Sequence, residues 1–209
     1  MPSIYIVTHP EATHVTENLV GGWYDSALTE RGIRDATRTA QHLAERIPEK
    51  EQVHLVTSDL RRAQQTADPI SRTFGVSAVI DPDLRERCYG AAEGTAPGTT
   101  LFLPPPRGPG RMDHHPGTPG TETRRQWATR AYRAIDRVER AGCEESIIVT
   151  HGGTLTYLIS AWIRLPLDDA GYVKFSSAPG SITHLREDDA TQDRCVVTVS
   201  HRGHLDGAY

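Results

Sequence analysis

Two histidines stand at the ends of apolar runs in this chain, and their positions suggest chemistry. Ile4-Tyr5-Ile6-Val7-Thr8 stops at His9-Pro10-Glu11, and Ser146-Ile147-Ile148-Val149-Thr150 stops at His151-Gly152-Gly153. A short apolar run closed by Pro, Gly or polar residues reads as a buried strand entering a loop. Each imidazole therefore sits at a strand's carboxyl end, the edge at which open α/β sheets bind ligands. Two histidines delivered there can face each other. A neutral imidazole is a nucleophile and a hydrogen-bond partner, and nearby cationic donors suit the pair to an anionic group in transfer. Arg62 is the first candidate for such a donor, because it falls in the first turn of a helix that follows the strand Val53–Thr57. A guanidinium fork beside a helix N-terminus is a good anion site.

The elements that must position these groups can be read in order. Residues 10–29 form a long polar, glycine-bearing loop, and loops of that length in compact domains usually carry function. Thr29 and Glu30 open a helix whose apolar spacing, Ala36, Ala40, Leu43, Ala44 and Ile47, runs to Pro48. After Val53–Thr57, Ser58 is expected to cap a helix from Asp59 to Phe74, closed by Gly75, with Pro69 predicting a kink or break. Val76–Ile80 reads as a short strand. Residues 95–120 are rich in Gly and Pro and include His114-His115, and are expected to be a lid over the crevice or a surface loop. A helix is expected from Thr121 to about Ala141, stopped by Gly142, and another from Thr154 to about Ile163. Ser181–Leu185 and Cys195–Val199 read as a closing hairpin through Glu187-Asp188-Asp189. No linker divides the 209 residues, so residues 1–209 are expected to form one domain.

Composition narrows the function. A formal net charge of −4 carries no basic excess, so no nucleic-acid partner is expected. No run approaches membrane-spanning length and no targeting segment is evident, so neither a membrane partner nor export is expected. Cys88, Cys143 and Cys195 are odd in number and lack paired spacing, as expected of reduced thiols in a cytoplasmic protein. A homodimer is left open.

Four further motifs give these elements a family resemblance. They are Asn18 through Gly32, then Thr57-Ser58-Asp59-Leu60-Arg61-Arg62-Ala63-Gln64-Gln65-Thr66-Ala67, then Leu84-Arg85-Glu86-Arg87-Cys88-Tyr89-Gly90, and Thr150-His151-Gly152-Gly153. In this order and near this spacing the chain resembles the histidine phosphatase superfamily, the fold shared with cofactor-dependent phosphoglycerate mutases, from about Ile4 to Leu205. The resemblance implies a three-layer α/β/α sandwich with a mostly parallel sheet. It further implies that His9 takes a phosphoryl group on a ring nitrogen, that Glu86 protonates the leaving oxygen, and that Arg62 and His151 hold the phosphoryl oxygens. Asn18, Gly22, Arg87 and Tyr89 match positions that contact substrate in the mutases, and Thr8, Glu11, His14 and Gly152 complete the expected binding set. The implied activity is phosphomonoester hydrolysis on a small anionic metabolite, without a cofactor. A mutase is disfavoured because the segment between Gly90 and Thr121 carries only Arg107 and Arg111 as basic residues.

The chain departs from the family at the first motif, which reads Thr8-His9-Pro10 where the resemblance implies Arg-His-Gly, and at Val15 where it implies Asn. Both changes remove donors. One preorganised donor is commonly worth about 3–4 kcal/mol in a transition state. A phosphate reading therefore needs replacement charge from Arg87, Arg124, Arg125 or His14. Two alternatives follow from the same residues: an acid–base hydrolase or isomerase acting on a carboxylated metabolite, and a non-catalytic anion-binding module. His9, Glu11, His14 and His151 contain enough ligand atoms for a divalent ion, but their spacing matches no established metal motif, and no metal is expected among them.

Overall fold

The computed structural model describes residues 2–48 and 52–205. Six strands form one mixed sheet: β1 (Ser3–Thr8), β2 (Val53–Thr57), β3 (Val79–Ile80), β4 (Glu145–Thr150), β5 (Ile182–Glu187) and β6 (Arg194–His201), in the order β3-β2-β4-β1-β5-β6. The pairs β1/β4, β2/β4 and β2/β3 are parallel, while β5 and β6 close one side as an antiparallel hairpin. β1 is buried along its whole length because its alternating side chains enter two cores. Tyr5 and Val7 join Leu43, Leu55, Ala67, Ile70, Ile147 and Val149 on one face. Ile4 and Ile6 join Trp127, Ala131, Ile135, Ile148, Leu155 and Trp162 on the other. Burying each large aliphatic side chain contributes roughly 1.5–3 kcal/mol, so a one-residue slip of β1 is strongly disfavoured.

Helices cover both faces, giving the expected three layers. α1 is a single turn, Thr13–Thr16, inside the segment read as a loop. α2 (Glu30–Ala44) and α3 (Arg61–Phe74) pack on one face, and α4 (Arg124–Arg140) and α5 (Gly152–Trp162) on the other. Thr29 caps α2 by accepting from the Gly32 amide at 3.0 Å. Thr123 and Gln126 form a reciprocal capping box on α4.

Several sequence expectations are corrected. α3 starts at Arg61, two residues later than expected, and Leu60 rather than Ser58 is its capping position. The Arg61 amide donates instead to Asp25 Oδ1 at 2.7 Å, so the loop after β1 closes this helix end. Pro69 does not break α3: it removes only its own bond to the Gln65 carbonyl, and Ala63, Thr66, Ala67 and Ile70 hold the helix to the sheet on either side. β3 is only Val79–Ile80, an exposed edge pair. Residues 95–120 contain no helix or strand, but this segment is not loose throughout. Met112 is buried in the core, the Arg125 amide donates to its carbonyl, and Thr118 Oγ1 donates to Leu101 O at 2.7 Å. Among the described residues no helix is long and apolar enough to cross a membrane.

Candidate active site

The register of β1 on β4 pairs Thr8 with Thr150, so the next residue of each strand, His9 and His151, leaves the same sheet edge on neighbouring strands. Their ring centroids lie 5.2 Å apart. His9 Nδ1 is 2.8 Å from the Pro10 carbonyl, an acceptor only, so Nδ1 carries the proton. Nε2 is then a lone pair, and Arg62 Nε donates to it at 3.2 Å. Burial and the Arg62 charge push the His9 pKa down to about 3, which keeps the ring neutral at physiological pH.

Arg62 is 1% exposed and locked by its other donors: Nη1 to Tyr24 O at 2.8 Å and Nη2 to Gly22 O at 2.7 Å. Each terminal nitrogen keeps one N–H for a ligand. Burial lowers its pKa to about 10, which leaves it cationic at neutral pH. Gly22 serves through its backbone. Its φ is +65°, and a Cβ there would stand 2.7 Å from both Glu93 Oε1 and the Tyr89 ring.

His151 is fully buried, and its Nε2 lies 3.0 Å from Ser58 Oγ. Ser58 Oγ also accepts from the Leu60 amide at 3.3 Å, and its hydroxyl can either donate to His151 Nε2 or accept from it. The other ring nitrogen, Nδ1, is buried and has no hydrogen-bond partner among the described residues. Burial, then Arg62 and His9, hold the His151 pKa well below the usual histidine range. Ser58 has the pattern of a helix cap; nothing in its local sequence identifies it as the partner of His151.

Glu86 is cradled by backbone. Gly153 N donates to Oε2 at 2.8 Å and Arg87 N to Oε1 at 2.9 Å. A Cβ on Gly153 would stand 2.6 Å from Oε1, so the glycine makes this approach possible. Burial raises the Glu86 pKa against these two bonds and the Arg62 and Arg130 charges. Arg130, unmarked in the sequence reading, fixes the loop by donating to the carbonyls of Asp83, Arg85 and Glu86 while paired with Glu122 at 2.8 Å. Trp23 Nε1 adds a bond to Glu86 O at 2.7 Å.

The remaining expected residues divide. Arg87 and Tyr89 line a cavity of about 280 Å³ together with Arg124, Trp127, Gly153, Tyr157 and Lys174. The Arg87 side chain is tied to Glu122 O at 2.7 Å and lies over the Tyr89 ring. His14 is beside His9, ring centroids 6.1 Å apart, and its Nδ1 lies 2.6 Å from Ser26 Oγ. Gly152 opens α5 next to His151. Thr8 is buried, and Oγ1 donates to Ala178 O at 2.8 Å with Ser181 Oγ at 3.2 Å, so its hydroxyl is engaged by the loop before β5. Glu11 Oε1 accepts from Thr29 Oγ1 at 2.8 Å at the α2 cap. Asn18 is exposed at φ +53°, and Val15 is 56% exposed. Of the four groups considered for replacement charge, Arg125 is engaged by its pairs with Asp113 and Asp168, Arg87 and Arg124 line the adjoining cavity, and His14 lies beside His9 but is neutral at physiological pH, burial and the Arg62 charge pushing its pKa down to about 4. Among the described residues Arg62 is the guanidinium hydrogen-bonded to His9.

Comparison with known proteins agrees with this arrangement. Residues 4–198 match the model of the histidine phosphatase superfamily, branch 1. The chain is 33% identical over 172 residues to the probable phosphoglycerate mutase GpmB of Yersinia pestis, covering 79% of this chain and 77% of the relative, and equally to that of Yersinia pseudotuberculosis. Among solved structures it is similar to YhfR of Bacillus stearothermophilus, with a TM-score of 0.79 and 25% identity over 99% of this chain and 100% of that one. It shares its fold with a mycobacterial glucosyl-3-phosphoglycerate phosphatase complexed with VO3, at a TM-score of 0.78 and 20% identity over 97% and 100% of the two chains. With nearly its whole length matched and the fold shared, the chain belongs to the histidine phosphatase superfamily.

Proposed function

We propose that the protein hydrolyses a phosphomonoester of a small metabolite through a phosphohistidine at His9. The observation that carries this reading is the state of His9: Nδ1–H bonded to Pro10 O, and an Nε2 lone pair directed at the Arg62 guanidinium. Nε2 attacks phosphorus as the bond to the leaving oxygen breaks, and protonated Glu86 gives its proton to that oxygen. Water then attacks the phosphorus of the phosphohistidine, Glu86 takes the water's proton, and inorganic phosphate leaves with the nitrogen lone pair restored. The free N–H groups of Arg62, and His151 in the tautomer that carries its proton on Nδ1, hold the phosphoryl oxygens. The bound phosphate adds negative charge beside a buried carboxyl, raising the Glu86 pKa further toward a value useful for a proton donor.

Arg87, Arg124 and Lys174 in the adjoining cavity favour a leaving alcohol that itself carries an anionic group. This accords with the phosphorylated metabolites named for the relatives. The reaction uses no cofactor, nucleic acid or membrane partner. A cytoplasmic setting agrees with the free thiols of Cys88, Cys143 and Cys195.

A second reading rests on the Thr8 contacts. With that hydroxyl engaged by Ala178 and Ser181, Arg62 is the guanidinium at His9, a weaker clamp for a dianion. This favours an acid–base hydrolase or isomerase acting on a carboxylated metabolite. A panel of nucleotide, sugar and carboxylic-acid phosphates, assayed with wild type and His9→Ala, separates the two. Phosphate release with acid-labile label on His9, both lost in the variant, supports the phosphatase; absence of both across the panel gives the second reading. Ligand-induced thermal stabilisation without any turnover would instead mark a binding module.

A further inference from the structure

Outside the pocket just described, three histidines converge beside the edge of the sheet. His42 lies in the last turn of α2, His201 ends β6, and His204 follows in the next turn. One ring nitrogen from each lies within 4.8 Å of the other two. The His42 ring stacks on that of His204 at 4.9 Å and on that of His201 at 5.7 Å.

We propose that His42, His201 and His204 form a binding site for a divalent transition metal, with Zn²⁺ as the fitting ion. Four observations carry this. Imidazole is the ligand type that suits such ions, and three histidines with an open fourth position make an established zinc set. His204 Nδ1 is buried with no hydrogen-bond partner among the described residues, while its Nε2 lies 3.1 Å from Thr39 Oγ1, the outer hydrogen bond that orients a metal-bound imidazole. Gly203 makes the turn compact: a Cβ there would stand 2.9 Å from the His201 ring, so the glycine lets that ring fold back toward His204. A cavity of about 170 Å³ opens beside two of the three rings, those of His42 and His201, with Arg46 and His184 on its wall.

At Zn–N distances of about 2.0–2.1 Å, tetrahedral ligand atoms are roughly 3.3 Å apart. Closing from 4.8 Å requires side-chain rotation of these partly exposed rings, not a backbone shift. One group opposes binding. Exposed Arg46 donates from Nε to His42 Nε2 at 2.7 Å and must swing away if that nitrogen is the ligand. On the other side of the same ring, Glu45 Oε2 lies 3.6 Å from Nδ1 and offers a compensating negative charge. The bound ion cross-links the end of α2 to the turn after the edge strand β6, elements far apart in sequence. The site shares no residue with His9, Arg62, Glu86 or His151.

The test uses tag-free, chelator-stripped full-length protein titrated with ZnCl₂ by calorimetry and by competition with a chromophoric chelator. Co²⁺ absorption reports the coordination geometry. The expected result is one saturable equivalent with a tetrahedral Co²⁺ spectrum and a rise in Tm. Loss of an outer hydrogen bond alone costs about 10- to 100-fold in metal affinity, so His204→Gln and His42→Gln should each weaken binding by at least about 100-fold. His9→Ala should leave it unchanged, and Arg46→Met should tighten it. Circular dichroism confirms that the variants fold, and His42→Gln on the helix surface keeps the test valid if His204→Gln does not. No saturable zinc binding by wild type overturns the proposal. So does binding that survives both glutamine variants, or binding that disappears in His9→Ala, which would assign the ion to the catalytic pocket.

Discussion

Replacing Glu86 by glutamine separates proton donation from everything else this side chain does. The amide is nearly isosteric but cannot give up a proton to a leaving alkoxide. General acid catalysis is typically worth about 10²- to 10⁴-fold, which at 1.36 kcal/mol per tenfold is roughly 2.7–5.4 kcal/mol of barrier. The full loss is expected only when the leaving oxygen needs a proton. With an alkyl phosphate, kcat/KM of Glu86→Gln, which reports phosphorylation of His9, should fall by about 10²- to 10⁴-fold; with 4-nitrophenyl phosphate, whose phenolate leaves unaided, by less than about tenfold, while hydrolysis of the phosphohistidine, where Glu86 acts as base, slows equally for both. The structure also sets a side effect. Both carboxylate oxygens accept backbone N–H groups, from Gly153 and Arg87, and an amide nitrogen facing one of them leaves a donor unpaired at a cost of about 1–3 kcal/mol. Rates are therefore compared well below the Tm of the variant. In wild type, burial raises the Glu86 pKa, so the acid form persists to higher pH than for an ordinary glutamate and activity falls as pH rises through that value. That alkaline limb should vanish in the variant. Equal losses of kcat/KM on both substrates, with the limb retained, would refute the acid role and leave Glu86 as a positioning group.

Other outcomes follow from the same geometry. The His9 pKa is about 3 and that of His151 is well below the unfolded value of 6.5, so both contribute stability that is present above pH 6.5 and lost as pH falls toward about 3. Each unfolded-state proton contributes a slope of about 1.4 kcal/mol per pH unit. Calorimetry should show Tm falling steeply below pH 6, with a shallower fall in His9→Asn; a flat profile would contradict the burial argument. Arg62→Lys keeps a charge but not the fork that binds Gly22 O and Tyr24 O, so phosphorylation of His9 should slow by about 10³-fold, the low end for a phosphate-clamping arginine. Quenched labelling measures this, and a change below tenfold would remove Arg62 from the clamp. Thr8→Val should lower stability by about 1 kcal/mol through its bond to Ala178 O while kcat stays within about twofold. A loss of more than tenfold in steady-state turnover would return that hydroxyl to the substrate.

Much of the scaffold was legible because it depends on local pattern. Strands β1 and β4 read as unbroken apolar runs because helices cover both faces of the sheet, β2 is interrupted only by His54, and α2 announced itself through Thr29 and Glu30. Reading failed where one residue has two uses. Ser58 has the chemistry of a helix cap, but its hydroxyl is taken by His151. Pro69 is a breaker by propensity, yet the packing of its neighbours outweighs the one lost bond. The Thr8 hydroxyl turns into the loop at 178–181, where Ala178 O offers a buried acceptor that no local pattern marks. The histidines at 42, 201 and 204 carried no signal of their own, since their meeting depends on where β6 ends relative to α2.

By itself the sequence determined that two histidines end buried strands, that an arginine opens a helix beside them, and that a glutamate follows in a short loop. Those are statements about neighbours along the chain, fixed by periodicity and turn chemistry. Tertiary structure alone decided that Thr8 and Thr150 share a register, which brings the imidazoles together edge to face, and that the Gly153 amide meets the Glu86 carboxylate. It also assigned the His9 tautomer, through Pro10 O, and set Ser58 Oγ against His151 Nε2. These depend on strand order and on which buried donor finds which acceptor, and residues distant in the chain acquire that relation only when the sheet closes.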